Sequence, residues 1–183
     1  MTSGIDSLRK TPVFFGEHDL QIDEKNRLLI PSQIRKKIDP ELDGKSLFVT
    51  LKRFEDGFIP WLYPEVFFMG LVNQQAPPGL TPSMEQLQYT HRTLSMADEL
   101  EWDSQGRVVL PAKILSRAEL GTVVTLIGAN EHLELWNRAK WTAYRETLIS
   151  KSVEIQGWAQ NSLGQPNSGQ VSGQPKSENK DAT

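Results

Sequence analysis

The amino-acid sequence contains an internal repeat, and this feature limits the possible folds more than any other. Residues 20–31 and 100–111 each hold an alternating apolar segment, an Asp followed four residues later by an Arg, an apolar triplet and a Pro. Each position of the second copy lies 80 residues after its counterpart in the first. Because one copy of about fifty residues is marginal as an independent domain, we expect the two copies to interleave their strands in a single pseudo-twofold domain.

The pattern within each copy predicts its secondary structure. Leu20 and Ile22 alternate with polar residues, which is typical of a half-buried strand. Turn residues follow, then a short apolar strand that Pro31 ends, because proline cannot donate to a ladder. A helix and a hairpin complete each copy. The predicted helices cover residues 32–38 and 112–120, and the predicted hairpins turn at residues 55–57 and 128–131.

The domain organisation follows from the repeat and from local composition. Residues 48–51 echo residues 123–126, and residues 59–63 echo residues 132–136, so the hairpins are repeated as well. We expect a mainly β fold of the α+β class. Its predicted parts are a first unit at residues 14–66, a helical connector at 67–93, a second unit at 94–143, a C-terminal helix at 144–156 and a disordered tail at 157–183.

The bulk composition excludes several classes of protein. The formal net charge is −3 and the pI is about 5.7, so the chain cannot coat nucleic acid through bulk charge alone. The absence of cysteine excludes disulfides, thiolate metal ligands and cysteine nucleophiles. No apolar run is long enough to span a bilayer, and the N-terminus does not resemble a secretory signal. We therefore expect a cytoplasmic protein without a membrane partner, metal, cofactor or small-molecule substrate.

Positive charge is concentrated at the two Asp-to-Arg loops and the helices that follow them. Residues 23–37 contain five basic and two acidic side chains, and the second copy offers Arg107, Lys113 and Arg117 against Asp103. An Arg on a tight loop can present its guanidinium fork to guanine O6 and N7, while Lys side chains can contact phosphates. We therefore predict that the chain binds double-stranded DNA. The predicted DNA contacts are Arg27, Arg107, Lys25, Arg35, Lys36 and Lys113, and the predicted loop-forming residues are Asp23, Asn26, Asp103 and Gly106.

The repeat carries a resemblance to a known family. Residues 15–20, 23–27, 31–32 and 103–111, together with residues 126–128 and 135–136, resemble the MraZ family, across roughly residues 13–150. The chain contains two Asp-x-x-x-Arg motifs, each followed by an apolar triplet and Pro. One such motif would be a weak signal, whereas the pair makes the resemblance specific.

The resemblance implies a fold, an assembly and a function. The fold would be a swapped-hairpin barrel of the AbrB type, in which the two repeats play the roles that two chains play in single-unit relatives. The protein would form a ring-like homo-oligomer in the nucleoid and repress cell-wall and cell-division genes by binding direct repeats upstream of them. The family's DNA-contacting Arg maps onto Arg27 and Arg107. The family usually has Gly where this chain has Asn26, which can adopt the same backbone conformation at some steric cost.

Several of these residues have a purely structural interpretation. Arg27 and Arg107 could pair with Asp23 and Asp103 to hold the loops, with no role in binding. Lys36, with its neighbour Lys37, could be the solvated end of a helix. The large aromatic side chains are most simply interpreted as core or subunit-interface residues, namely Trp61, Trp102, Trp136 and Trp141.

Three other functions compete with DNA binding. His18, His91 and His132 lack metal-binding spacing, and no phosphate-binding glycine loop or nucleophile elbow occurs, so we predict that the protein is not an enzyme. The main alternative is an antitoxin-like protein-interaction module of the AbrB fold, although residues 157–183 lack the apolar anchors that such a segment needs. A purely structural ring is the third possibility.

Overall fold

The computed structural model describes residues 11–74 and 82–163. The first copy contains β1 (Glu17–Gln21), β2 (Arg27–Leu29), α1 (Ser32–Arg35), β3 (Ser46–Phe54) and β4 (Gly57–Pro64). The connector contains α2 (Glu65–Gln74) and α3 (Met84–Leu94). The second copy contains β5 (Asp98–Glu101), β6 (Arg107–Val109), α4 (Ala112–Arg117), β7 (Val123–Ala129) and β8 (His132–Asn137), and it is followed by α5 (Arg138–Ser150) and α6 (Ser152–Leu163).

The two copies interleave their strands. The large sheet has the order β1-β7-β8-β4-β3-β5, and β2 pairs with β6 in a second, two-stranded sheet. Strand β1 pairs with β7 of the second copy, and β5 pairs with β3 of the first, so neither copy completes its own sheet. The expected α+β class and the exchange of strands between repeats are therefore confirmed. Among the described residues the large sheet is open at β1 and β5 and does not close into a barrel.

The strand registers locate the pseudo-twofold axis. Leu28 pairs with Val108 in the small sheet, and Trp61 pairs with Glu134 in the large one. Exchange of the two copies converts the pairing of β1 with β7 into the pairing of β5 with β3. The registers of these two pairings make Leu47 the counterpart of Val124, 77 residues later. The predicted match of residues 48–51 with 123–126 is therefore out of register by two residues. Each side chain still lies on the correct face, because the side-chain period of a strand is two.

One apolar core joins both sheets and the short helices α1 and α4. Burial of an aliphatic side chain contributes about 1.5–3 kcal/mol, so this cluster fixes the small sheet firmly against the large one. Its fully buried members come from both copies and include Leu28, Ile30, Leu47, Leu62, Val108, Leu110, Leu126 and Leu133.

Aromatic side chains cover the opposite face of the large sheet. Phe48 stacks on Phe68 of α2 with 4.8 Å between ring centroids, and Trp61 stacks on His132 at 3.9 Å. Trp136 is 5% exposed and lies edge-on to Trp141 of α5. These contacts give Trp61, Trp136 and Trp141 a place in the packing of the domain.

The helices differ from the predicted ones at their ends. Helix α1 covers only Ser32–Arg35 and has Pro31 as its N-cap, so the predicted helix over 32–38 is too long. The predicted C-terminal helix is broken at Lys151, and its second part continues to Leu163. Residues 157–163 are thus helical, which corrects the predicted start of the disordered tail, and the rest of that segment lies outside the described residues.

The described part of the chain divides into two compact units. The first ends at Ala143 and holds all eight strands, and the second begins at Tyr144 with the end of α5 and contains α6. Within the described ranges, no helix has the length and apolar character needed to cross a membrane.

Candidate nucleic-acid interface

The two predicted DNA-contacting arginines lie on one face of the small sheet, which we call the ribbon (β2 and β6). The inner face of the ribbon holds Leu28 and Val108, both fully buried. Because side chains alternate across a strand, the remaining residues of the ribbon point to the opposite face. These residues are Arg27, Leu29, Arg107 and Val109.

Loop 1, residues 23–27, connects β1 to β2 and is built around the Asp23 carboxylate. Its Oδ1 accepts hydrogen bonds from the backbone N–H groups of Lys25 and Arg27, both at 2.9 Å. Its Oδ2 accepts a hydrogen bond from Arg27 Nε at 2.7 Å. One oxygen therefore closes the turn while the other orients the guanidinium.

Loop 2, residues 103–107, repeats this arrangement. Asp103 Oδ1 accepts from the backbone N–H groups of Gln105 at 2.8 Å and Arg107 at 2.9 Å, and its Oδ2 accepts from Arg107 Nε at 2.6 Å. In each loop the pKa of the Asp is lowered, and the largest cause is the hydrogen bond from the backbone N–H of the Arg. Desolvation is the second effect and opposes this shift, while the hydrogen bond from the guanidinium lowers the pKa further. Both carboxylates are thus held in the charged form that pairs with the guanidinium.

The fourth residue of each loop adopts a left-handed backbone conformation. The φ angle is 59° at Asn26 and 79° at Gly106, as their residue types predict. The carbonyl of each then accepts a hydrogen bond from the other copy: Leu110 N–H donates to Asn26 at 2.8 Å, and Ile30 N–H donates to Gly106 at 3.2 Å. Each loop is therefore anchored across the pseudo-twofold axis.

The side chains of Arg27 and Arg107 are partly exposed at the surface of the ribbon. The side chains of Arg27 and Arg107 are 31% and 27% exposed. Their recorded hydrogen bonds to Asp engage only Nε, and the Nη groups bond to none of the residues in the described ranges. Since Arg27 faces Val109 and Arg107 faces Leu29, strand geometry places the two Arg Cα atoms about 8 Å apart. Two partly exposed arginine side chains therefore lie close together on the outer face of the ribbon.

The other predicted DNA contacts lie around the ribbon and differ in their exposure and in the partners that they already have. Lys25 and Lys36 are exposed. Lys113 pairs with Asp98 at 2.8 Å, so an acidic group already offsets its charge. Arg35 is half-buried, and its Nε donates to the carbonyl of Ile30 at 3.0 Å. The structure thus groups Arg27, Arg107 and Lys25 on or beside the ribbon, with Arg35 and Lys113 on the helices that follow it and Lys36 directly after α1.

Two apolar side chains on the ribbon were not predicted as site residues. Leu29 is 51% exposed and Val109 is 57% exposed, and each lies opposite one of the arginines. Strand alternation places the middle residue of each apolar triplet on the arginine face, but only once the burial of Leu28 and Val108 is known. Apolar side chains at such positions suit contact with the methyl group of thymine.

No group of three or more His, Asp or Glu side chains in residues 11–74 and 82–163 is placed to hold a metal ion. His132 is buried and lies 3.3 Å from Glu134, within the aromatic layer of the large sheet and away from the ribbon.

Comparison with known proteins identifies similar sequences. The family model described as "MraZ protein, putative antitoxin-like" matches residues 93–156. The transcriptional regulator MraZ of Neisseria meningitidis serogroup C is 33% identical over 131 residues, which cover 72% of this chain and 84% of the relative. The transcriptional regulator MraZ of Coxiella burnetii is 29% identical over 143 residues, covering 77% and 90%. That of Cytophaga hutchinsonii is 27% identical over 151 residues, covering 82% and 94%.

Proposed function

The chain belongs to the MraZ family of transcriptional regulators, and from this premise we propose that it binds double-stranded DNA sequence-specifically through the ribbon. The observation that carries the proposal is the pair of arginines, Arg27 and Arg107. Each is fixed by an Asp through Nε and leaves its Nη edge for a ligand. The major groove of DNA admits a two-stranded β-ribbon, and the guanidinium fork matches the O6 and N7 atoms of guanine.

The proposed contacts divide into specific and non-specific ones. Each bidentate Arg–guanine pair discriminates against a wrong base by about 1–3 kcal/mol, and Leu29 and Val109 add apolar contact beside the two forks. The exposed Lys25 and Lys36 contact phosphates, which positions the protein and makes its affinity fall with salt. Lys113 takes part only by exchanging Asp98 for a phosphate.

Tight binding is proposed to require assembly. One ribbon offers two base-contacting forks, which supports only weak binding on its own. A ring-like homo-oligomer on direct repeats raises the affinity through effective concentration, without a new type of contact. We place this activity in the cytoplasm, at the nucleoid, as repression of cell-wall and cell-division genes.

An electrophoretic shift with the promoter upstream of the protein's own gene, run across a salt series, tests DNA binding. The native chain should shift this fragment before a scrambled duplex of equal length, and log affinity should fall linearly with log salt. The R27A/R107A variant should lose the preference for the promoter. Equal retention of both duplexes by the native chain would refute the proposal.

A second titration tests the role of assembly. Operators that carry one repeat and several repeats are compared at the same salt concentration. We expect the affinity to rise steeply with the number of repeats. The same affinity for both operators would remove the requirement for a ring.

The antitoxin-like interaction module is the alternative function, and the matching family model carries that word in its description. Affinity capture with the native chain separates the two. Retention of the promoter fragment supports DNA binding, whereas a stoichiometric protein partner without retained DNA supports the alternative.

A further inference from the structure

We infer that Arg35 is a positioning residue, which braces loop 2 from the other copy and makes the two DNA-contacting loops unequal. The inference rests on the proposed function, since it gives one predicted DNA contact a different role at the same site. Arg35 supports the loop that carries Arg107, and loop 1 has no equivalent support.

A closed set of three contacts joins Arg35 to loop 2. Arg35 Nε donates to the carbonyl of Ile30 at 3.0 Å, and the N–H of Ile30 donates to the carbonyl of Gly106 at 3.2 Å. The guanidinium then covers Gly106: a Cβ atom at that position would lie 2.5 Å from Arg35 Nε and Cζ. Gly106 is accordingly buried, whereas Ser104 and Gln105, which precede it in loop 2, are exposed.

Loop 1 lacks this support because the repeat differs at the corresponding positions. The 80-residue offset makes Leu115 the counterpart of Arg35 and Asn26 the counterpart of Gly106. Loop 1 keeps the hydrogen bond from the backbone N–H of Leu110 to the carbonyl of Asn26. The side chain of Leu115, however, has no donor for the carbonyl of Leu110, so the contact that Arg35 makes to Ile30 has no counterpart here. Asn26 itself is only half-buried.

The contacts of Arg35 indicate that it positions loop 2. Its Nε is committed to a backbone carbonyl, and its planar group packs on the Cα of Gly106. A side chain held in this way fixes the orientation of loop 2 and, through Asp103, the fork of Arg107. Loop 2 is therefore the more pre-organised of the two.

Replacement of Arg35 by Leu, the residue at the counterpart position, tests this role in two backgrounds. In R27A, where only loop 2 carries its arginine, R35L should lower the affinity for the promoter by about tenfold, the value of one misplaced bidentate contact. In R107A, R35L should change the affinity by less than about twofold, because the residue that it positions is gone. Equal losses in both backgrounds would overturn the inference.

The salt dependence separates positioning from direct contact. Loss of one phosphate contact reduces the slope of log affinity against log salt by about 0.9. The neighbouring variant K36A should show this reduction, whereas R35L should keep the native slope while losing affinity. A reduced slope in R35L would make Arg35 a phosphate contact and refute the positioning role.

Thermal unfolding of the full chain tests the contact itself, independently of DNA. Asparagine tolerates the left-handed conformation, as Asn26 shows, so Gly106→Asn isolates the collision with Arg35. We expect G106N to lower the Tm by several degrees and the R35L/G106N variant, which copies the Leu115–Asn26 pair, to recover most of that loss. Equal Tm losses with and without R35L would disprove the contact. If this coupling holds while no arginine variant changes the affinity for the promoter, the proposed function fails, but the structural contact between Arg35 and loop 2 is still supported.

Discussion

The Asp23 carboxylate and its repeat, Asp103, divide their oxygens between the backbone and a guanidinium. One oxygen closes the turn through two N–H groups, and the other fixes Arg Nε. The structural and functional interpretations of the Asp–Arg pair are therefore compatible, because a pair formed through Nε still leaves the Nη edge for a base. Pre-organisation of this kind reduces the entropy that the Arg side chain loses on binding.

Asp103→Asn tests this division of roles. The remaining Oδ1 can still accept the N–H groups of Gln105 and Arg107, whereas an Nδ2 group placed opposite Arg107 Nε would set one donor against another. We expect preference for the promoter over a scrambled duplex to fall by about tenfold. Affinity for the scrambled duplex should stay constant or rise, since a negative charge is lost. Parallel titrations with both duplexes measure the ratio, and an unchanged ratio would show that Asp103 does not orient the Arg.

The lowered pKa values of Asp23 and Asp103 predict the pH dependence of stability. A carboxyl whose pKa is lower in the folded state stabilises that state above its unfolded pKa, about 3.8. This contribution disappears as the pH falls through the folded-state pKa. The native chain should therefore exceed D23N/D103N in unfolding free energy at neutral pH, and the difference should shrink well below pH 3.8. Urea unfolding of both proteins at neutral pH and at the low pH measures this difference in unfolding free energy. A difference that stays constant would show that the charged carboxylates do not stabilise the loops.

At the scale of elements, the ribbon depends on having two different faces. Its inner face belongs to the apolar core, and its outer face carries the two arginines with Leu29 and Val109. Three-residue strands are too short for periodicity alone to reveal the faces. The sequence could therefore predict the strands and their ending at proline, but not which apolar residues lie outside.

The neighbouring residues Leu28 and Leu29 form a matched pair for testing the two faces. Leu28 is fully buried and Leu29 is 51% exposed. Leu28→Ala should lower the unfolding free energy by about 3 kcal/mol through the cavity that it leaves. Leu29→Ala should change it by less than about 0.5 kcal/mol and should weaken binding to the promoter. Denaturant unfolding and promoter titration of both variants check this, and a large stability loss in L29A would contradict the assignment of faces.

On the scale of the whole molecule, the two repeats form one interleaved structure, which we expect to unfold cooperatively. Each copy contributes its first strand to the sheet of the other, and the ribbon takes one strand from each. The repeat in the sequence predicted this exchange, since one copy cannot bury a sufficient core. The register of the hairpins was less accessible, because loop lengths differ between the copies and the sequence match is two residues out of register. The contact of Arg35 with Gly106 was not predictable, since it joins residues far apart in sequence.

Division of the chain within the connector, between α2 and α3, tests this cooperativity. Each fragment alone should be largely unfolded by circular dichroism, because its outer strand and half of the ribbon lack partners. An equimolar mixture should regain the native spectrum and a single unfolding transition. A monomeric fragment that unfolds cooperatively on its own would show that the copies are independent domains.

Arg27 and Arg107, in the function that we propose, recognise bases with the guanidinium fork and do not merely add charge. The R27K/R107K variant keeps both charges and removes both forks. Its affinities for the promoter and for a scrambled duplex, measured across a salt series, are the most direct test. We expect R27K/R107K to keep the native affinity for the scrambled duplex and the native salt slope, while its preference for the promoter falls by about tenfold or more. A native preference of R27K/R107K for the promoter over the scrambled duplex would contradict base recognition by the guanidinium forks.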